Sequence, residues 1–341
     1  MRHANVALFV PHNGCPHQCS FCNQRSITGQ QTQPAPDDVR AAALTAMRSI
    51  PCAGQAEIAF FGGSFTAIER GYMVSLLEAA APFVQEGRFS GIRISTRPDA
   101  VGDDILTLLK KYGVTSIELG AQSMEDRVLA MNGRGHTAAQ VEDAARRIRA
   151  QGFSLGLQMM TGLYGDTPAG AEYTARRLAA LEPDTVRIYP TIVMRGTELE
   201  EKYRSGVYCP MALEDAVELC SRLLAFFEDR GIRVIRLGLH STPELERDRV
   251  AGPWHPAFRE LCESKRMFLR LMEILEGNQV SKGTIEIKVN PKIQSKMVGQ
   301  KRANLDRLRE RGYSARVTAN ATLPEHTVTI AALEKDVTAC F

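Results

Sequence analysis

Short apolar runs alternate along the first two thirds of the chain with stretches in which apolar residues recur every three or four positions. The short runs have strand length and composition: Val6–Val10, Glu57–Phe61, Gly91–Thr96, Ser116–Ser123, Ser154–Met159, Thr185–Tyr189 and Arg233–His240. The periodic stretches predict helices over about 37–47, 72–84, 103–112, 138–151 and 213–230, the third stopped by Gly113. Strict alternation of strand and helix predicts a parallel sheet with right-handed crossovers. The expected fold class is therefore α/β, with six strand–helix units and a seventh strand, an alternation that agrees with a partial barrel of the TIM type. Within the fourth strand, Glu118 and Gln122 are four residues apart and fall on one side. Apolar neighbours surround them, so they are expected to face the barrel mouth, either as ligand contacts or as a sealing polar pair.

The pattern changes after residue 240. Residues 241–280 read as a helical connector: Ser241-Thr242-Pro243-Glu244 can start a helix, and a second spans about 256–275. Phe258, Leu261, Cys262, Met267, Leu271 and Ile274 recur at helical intervals, which is a packing face. Residues 281–341 form an α+β appendage, with strands at 284–289, 315–319 and 327–331 and a basic helix over about 293–311. This β-α-β-β order, with Val298-Gly299-Gln300-Lys301-Arg302 beside the helix, is similar to a KH-type RNA-binding unit. It departs at Arg302, where such a loop would carry its second glycine. Lys292, Lys296, Lys301, Arg302 and Arg309 would then meet phosphates, which position RNA without reading its sequence. The competing reading is a small basic cap.

Charge agrees with that division. Segment 281–318 carries a net +7 while the whole chain carries +3, so the basic excess is local. Composition is otherwise that of a globular protein, 44% apolar and 24% charged. No apolar run approaches the roughly 18 residues of a membrane span. The first residues lead directly into a strand with no apolar signal core, so no membrane association and a cytoplasmic location are expected.

The chemistry is concentrated after the first strand. Cys15, Cys19 and Cys22 stand at Cys-x3-Cys-x2-Cys spacing, in a loop at a strand's C-terminal end, where barrels of this type place their chemistry. A disulfide framework does not suit a long chain without a secretory signal. Thiolates are soft ligands for zinc or for iron–sulfur clusters. Zinc would want a closed set of four, with His12 or His17 as the fourth ligand. A four-iron cluster held by three cysteines would instead leave one iron open. Cys52, Cys209, Cys220, Cys262 and Cys340 are scattered and read as packing residues. Gly62-Gly63 after the second strand would let backbone approach a ligand. Gly133-Arg134-Gly135-His136-Thr137 opens a helix and could hold an anion or be an ordinary capped turn.

Taken together, Cys15, Cys19 and Cys22, Phe60-Phe61-Gly62-Gly63-Ser64-Phe65-Thr66, Ser95-Thr96-Arg97-Pro98-Asp99, Glu118 to Ser123, Asn132 to Thr137, Met159 to Leu163 and Arg187-Ile188-Tyr189-Pro190 resemble the radical S-adenosylmethionine (SAM) superfamily. The branch they resemble includes the Elongator catalytic subunit. The resemblance covers roughly residues 4–240, so 1–240 is expected to be the barrel. About 100 residues follow it, too few for the acetyltransferase domain of Elongator-type enzymes, and acetyl-CoA chemistry is not expected. Tyr164 stands where relatives usually have proline.

The resemblance implies a [4Fe-4S] cluster on the three cysteines and reductive cleavage of SAM to a 5′-deoxyadenosyl radical. It implies a one-electron donor such as flavodoxin or ferredoxin, and RNA, in particular tRNA, as substrate. It makes Phe21, Gly62, Gly63, Thr96, Arg97, Glu118, Gln122 and Met159 candidate SAM contacts, with Phe21 packing on adenine and Arg97 balancing the SAM carboxylate. Two alternatives stay open: a radical SAM enzyme for a small molecule of porphyrin type, and a non-catalytic RNA-binding protein with structural zinc.

Overall fold

A computed structural model describes residues 5–15, 19–30, 32–50, 53–332 and 336–340. His17 and Cys52 lie outside the described residues. Two compact units are present, one drawn from residues 1–213 and 227–256, the other from 214–226 and 257–341.

The first unit is built on a seven-stranded parallel sheet. Its strands are β1 (Asn5–Val10), β2 (Glu57–Gly62), β3 (Gly91–Thr96), β4 (Val114–Gln122), β5 (Ser154–Thr161) and β6 (Thr185–Pro190). A short β7 (Val193–Met194) precedes the seventh sheet strand, β8 (Arg233–Leu237), and pairs with a short β9 (Arg249–Ala251). The sheet order is β1-β2-β3-β4-β5-β6-β8, every pair parallel. Between strands lie α1 (Gln24–Thr28), α2 (Pro36–Ser49), α3 (Arg70–Gln85), α4 (Asp103–Lys111), α5 (Asp126–Met131), α6 (Ala138–Ala150), α7 (Pro168–Ala179) and α8 (Glu198–Arg204). α9 (Leu213–Glu228) precedes β8 in sequence, but its residues 214–226 belong to the second unit, and α10 (Pro243–Asp248) follows β8.

Parallel strands covered on both faces need apolar residues throughout. β3 is buried at every position, and Ile58, Phe60, Ile92, Ile94, Ile117 and Leu119 are completely enclosed. Helix starts are set by side chains. Thr137 and Gln140 form a capping box on α6, and Thr167 caps α7 ahead of Pro168. The seventh strand stops at Leu237 rather than running to His240. Gly238 turns to φ 80° there, and its N–H donates to the Ile188 carbonyl at 2.9 Å.

In the second unit, α11 (Phe258–Gly277) packs Phe268, Leu271 and Leu275 against a four-stranded sheet. Its strands are β10 (Gly283–Val289), β11 (Tyr313–Ala319), β12 (Thr327–Ala332) and β13 (Asp336–Cys340), in the order β11-β10-β12-β13 with β10 and β11 parallel. Ile285, Ile287 and Val289 alternate into that core.

The basic helix expected over 293–311 is two helices, α12 (Pro291–Val298) and α13 (Ala303–Glu310). The break has a local cause. Gly299 adopts φ 79°, and the Asn304 amide, fully buried, donates to the carbonyls of Lys296 at 3.2 Å and Met297 at 3.1 Å. Those carbonyls end α12, where no further helical N–H reaches them, and the Lys296 carbonyl also accepts from Ser264 Oγ at 2.8 Å. Asn304 also donates to the Ser264 carbonyl at 3.0 Å, tying the turn to α11.

Candidate active site

The inner faces of β1 and β6, five strands apart in the sheet, line one cavity of about 680 Å³. The sheet is thus curled into a half-barrel. Alternate residues face inward: Ala7 and Phe9 from β1, Gln158 and Met160 from β5, Arg187 and Tyr189 from β6. Phe21 and Cys22 of the cysteine loop form part of the wall, with His240 on the far side.

The described residues on either side of positions 16–18 of the cysteine loop are fixed from several directions. Gly63 N–H donates to the Val10 carbonyl at 2.7 Å, and Ser64 N–H to the Asn13 carbonyl at 2.9 Å. A Cβ on Gly63 would fall 1.9 Å from the Asn13 oxygen, so only glycine fits beneath this loop. Gly62 faces the cavity and its carbonyl accepts from Gln24 Nε2 at 3.0 Å. The glycine pair thus joins two loops as well as flanking the cavity. On the other side, Ser20 N–H donates to the Asn132 carbonyl at 3.1 Å and Ser20 Oγ to Asn132 Oδ1 at 2.9 Å.

Cys15, Cys19 and Cys22 are free and half-buried. Burial pushes the Cys22 thiol up to about 12, with the charges of Cys19 and Cys15 adding to it. Burial and Cys19 raise Cys15 too, with Arg134 and Arg97 opposing. Thiols held this way keep their protons until a metal displaces them. Among the described residues, no three Cys, His, Asp or Glu side chains stand in a ready-made metal-ligand arrangement, and residues 16–18, between the first two cysteines, lie outside them.

Other expected contacts are rearranged. His12 is not free to complete a zinc set, because its Nε2 accepts from the Gln24 N–H at 3.0 Å. Thr96 faces away from the cavity. Its hydroxyl meets Ser64 Oγ at 2.9 Å and Thr66 Oγ1 at 2.6 Å, and its neighbour Ser95 lines the wall instead. Met159 is fully buried behind the sheet, while Gln158 and Met160 face the cavity. Arg97 grips Asp99 with two bonds, at 2.9 and 2.5 Å, which occupies it locally.

Glu118 is 1% exposed and both its oxygens are taken. Arg187 donates to them at 2.6 and 2.8 Å, Gln158 at 2.9 Å and Arg93 at 3.1 Å. Burial alone would raise its carboxyl, but Arg187, by charge and hydrogen bond, and then Arg93 outweigh it and hold it below the usual range. Glu118 therefore orients cavity residues and does not itself present a free carboxylate. Arg93 continues the chain to Glu57 at 2.7 Å. Glu57, Arg93 and Glu118 are buried, and the half-buried Arg187 at the cavity end brings the set to two carboxylates and two guanidinium groups. Arg187 also lies 4.9 Å from the centre of the Phe61 ring. The Arg93 and Gln158 contributions were missed in the sequence, and Arg187 and Tyr189 were singled out there only as motif residues, without a role. Inward alternation along β5 and β6 was the signal that could have found Gln158, Arg187 and Tyr189.

The end of β4 carries several polar atoms without partners. Gln122 sits at φ 66° and faces the cavity, and its Oε1 is buried and unbonded among the described residues. Arg134 Nε and His136 Nδ1 share that condition, although Arg134 bonds the Gly120 carbonyl and His136 the Ala121 carbonyl. Strained backbone and orphaned polar atoms gathered at one strand end are features of ligand sites. Three free thiols beside them supply a soft donor set. The residues present therefore fit an iron–sulfur cluster with a polar organic ligand.

Two family models match the chain: the radical SAM superfamily over residues 9–178, and the Radical_SAM C-terminal domain over 183–267. The chain belongs to the radical SAM superfamily. It is 32% identical over 139 residues to a tRNA uridine(34) acetyltransferase of Methanocaldococcus jannaschii, covering 40% of this chain and 26% of that protein. Human Elongator complex protein 3 is 36% identical over 140 residues, 40% of this chain and 25% of its own length. A tRNA uridine(34) acetyltransferase of Dehalococcoides mccartyi is 27% identical over 239 residues, 60% and 52%. The chain thus spans about a quarter to a half of these relatives. In structure it is similar to Methanocaldococcus infernus Elp3 bearing an N-terminal deletion, with a TM-score of 0.60 at 20% identity over 83% of this chain and 66% of that one. The radical SAM fold and its membership of an enzyme superfamily are therefore as the sequence resemblance implied.

Proposed function

We propose that Cys15, Cys19 and Cys22 hold a [4Fe-4S] cluster, that SAM occupies the adjoining cavity, and that the substrate is RNA, tRNA above all. The carrying observation is that Cys22 walls a cavity also faced by the orphaned amide of Gln122. When bound, the cluster supplies the electron, drawn from a flavodoxin- or ferredoxin-type donor, that splits the sulfonium of SAM into methionine and a hydrogen-abstracting 5′-deoxyadenosyl radical.

The chain's own residues have separable tasks. Phe21 offers an apolar surface to adenine. Gln122 and Gln158 provide amides to the polar groups of SAM, and Gly62 keeps the wall beside them free of a side chain. Glu118 holds Arg187 in one position, so a cationic group faces the cavity without rotamer freedom. The predominantly apolar remainder of the lining excludes water, which shields a reactive species from quenching.

For RNA, the support lies in the relatives' tRNA-directed names and in the basic turn of the second unit. The test is 5′-deoxyadenosine formation by anaerobic, reduced, iron-loaded protein given SAM, with and without bulk tRNA. Formation that rises several-fold with tRNA is expected. Cleavage indifferent to tRNA, in protein that also fails to bind it, would overturn the RNA assignment. No cleavage in fully loaded protein would overturn the whole reading.

A further inference from the structure

The loop Asn132-Gly133-Arg134-Gly135-His136 does more than start α6. Asn132 is fully buried, and its amide donates to the carbonyls of Val128 at 2.8 Å and Tyr164 at 2.9 Å. With its two bonds to Ser20, it locks this loop onto the residue that follows Cys19. Arg134, 8% exposed, is carried into the space between the cysteine loop and the end of β4. Its Nη2 donates to the Gly120 carbonyl at 2.6 Å, and its Nη1 donates to Cys19 Sγ at 3.2 Å. A Cβ on Gly120 would come within 3.3 Å of that Nη2, so the strand leaves room for the guanidinium.

No carboxylate among the described residues pairs with Arg134, whereas Arg97, the other cation near the thiols, is gripped by Asp99. A buried guanidinium with no acidic partner is costly unless an anion compensates it. Here the group in reach that a bound metal would make anionic is the sulfur of Cys19, and Nε remains as a further unmet donor.

The geometry points to Arg134 as a positioning residue that tunes the cluster: its charge and its N–H···S bond to Cys19 stabilise the more negative, reduced form. The anion suited to this basic loop is the thiolate ligand set itself, not a substrate phosphate. The inference rests on reading the three cysteines as cluster ligands. Hydrogen bonds to ligand sulfurs and nearby charge are recognised means of setting iron–sulfur potentials. Removing the charge makes adding an electron harder, so the potential falls.

The experiment is an EPR-monitored redox titration of anaerobically loaded wild-type, Arg134→Lys, Arg134→Gln and Arg134→Met proteins, each with its iron content measured first. The Gln and Met variants are expected to lower the reduced-to-oxidised ratio at a fixed potential about tenfold, a downward shift of about 59 mV for one electron. The Lys variant should stay within about threefold of wild type, because it keeps the charge. Equal potentials in loaded wild-type, Gln and Met proteins would overturn the proposal while leaving the cluster reading intact. If Gln and Met hold no iron, a Lys variant that does hold it supports the requirement for charge. Loss of iron in all three variants, with folding intact by circular dichroism, would assign Arg134 to loop anchoring alone. A wild-type protein that takes up no cluster would overturn both readings.

Discussion

Asp166 shows how one side chain sets a pH dependence. It precedes the cap of α7, where Thr167 N–H donates to its Oδ1 at 2.8 Å. Burial raises its carboxyl to about 6, the charge of Glu125 adds to this, and the Thr167 and Gly162 amides and Arg127 oppose it. A carboxyl raised on folding favours the folded state fully below the unfolded value, near ~4, and that contribution is lost as pH rises through the folded value. Asp166→Asn keeps a carbonyl acceptor without the charge. Its stability relative to wild type should therefore be nearly unchanged at about pH 4 and higher by roughly 2–3 kcal/mol at about pH 7.5. Urea unfolding at both pH values checks this, and an equal difference at the two would contradict it. At Thr96 and Met159 the difference between the sequence expectation and the cavity lining is one of strand parity. Successive strand residues point to opposite faces. The motif was legible, but which alternate residues face the cavity depends on register, so Ser95, Gln158 and Met160 hold the places expected for their neighbours.

In the second unit the informative element is the turn between α12 and α13. Three of the five lysines and arginines expected to meet RNA already face carboxylates: Lys292 pairs with Glu325, Lys296 with Glu263 at 2.6 Å, and Arg309 with Asp306 at 3.2 Å. Lys301 and Arg302 are exposed, and both lie in the left-handed region at φ 52° and 66°. Arg302 holds a conformation that glycine would adopt more easily, which is the departure from the Gly-x-x-Gly pattern noted in the sequence. If this unit meets RNA as proposed, Lys301→Ala/Arg302→Ala should weaken tRNA binding and reduce the salt slope of log K by about one to two units. Lys292→Ala should change both less. A filter-binding salt series measures each slope, and equal effects from the two variants would place the contact elsewhere. The helix break itself was not legible, because Asn304 holds the carbonyls at the end of α12 and also the Ser264 carbonyl of α11, contacts that periodicity does not encode.

Over the first unit, alternation of strand and helix made the parallel sheet legible, and the structure adds its order, β1-β2-β3-β4-β5-β6-β8. The cysteine spacing and the strand-end motifs pointed to the candidate site, because loops after parallel strands converge at one end. Long-range polar partners were not legible. Glu118 engages residues 25 to 69 positions away, and Arg134 reaches a cysteine 115 positions back. Such pairs depend on the curl of the sheet, not on local pattern. On the proposed function, ligand and cluster share the cavity wall at Cys22. The most direct test is EPR of anaerobically loaded, reduced protein before and after addition of SAM, with iron and zinc quantified in the same sample. About four irons per chain and a reduced-cluster signal reshaped by SAM are expected. Stoichiometric zinc, or a cluster signal that SAM leaves unchanged, would contradict the account.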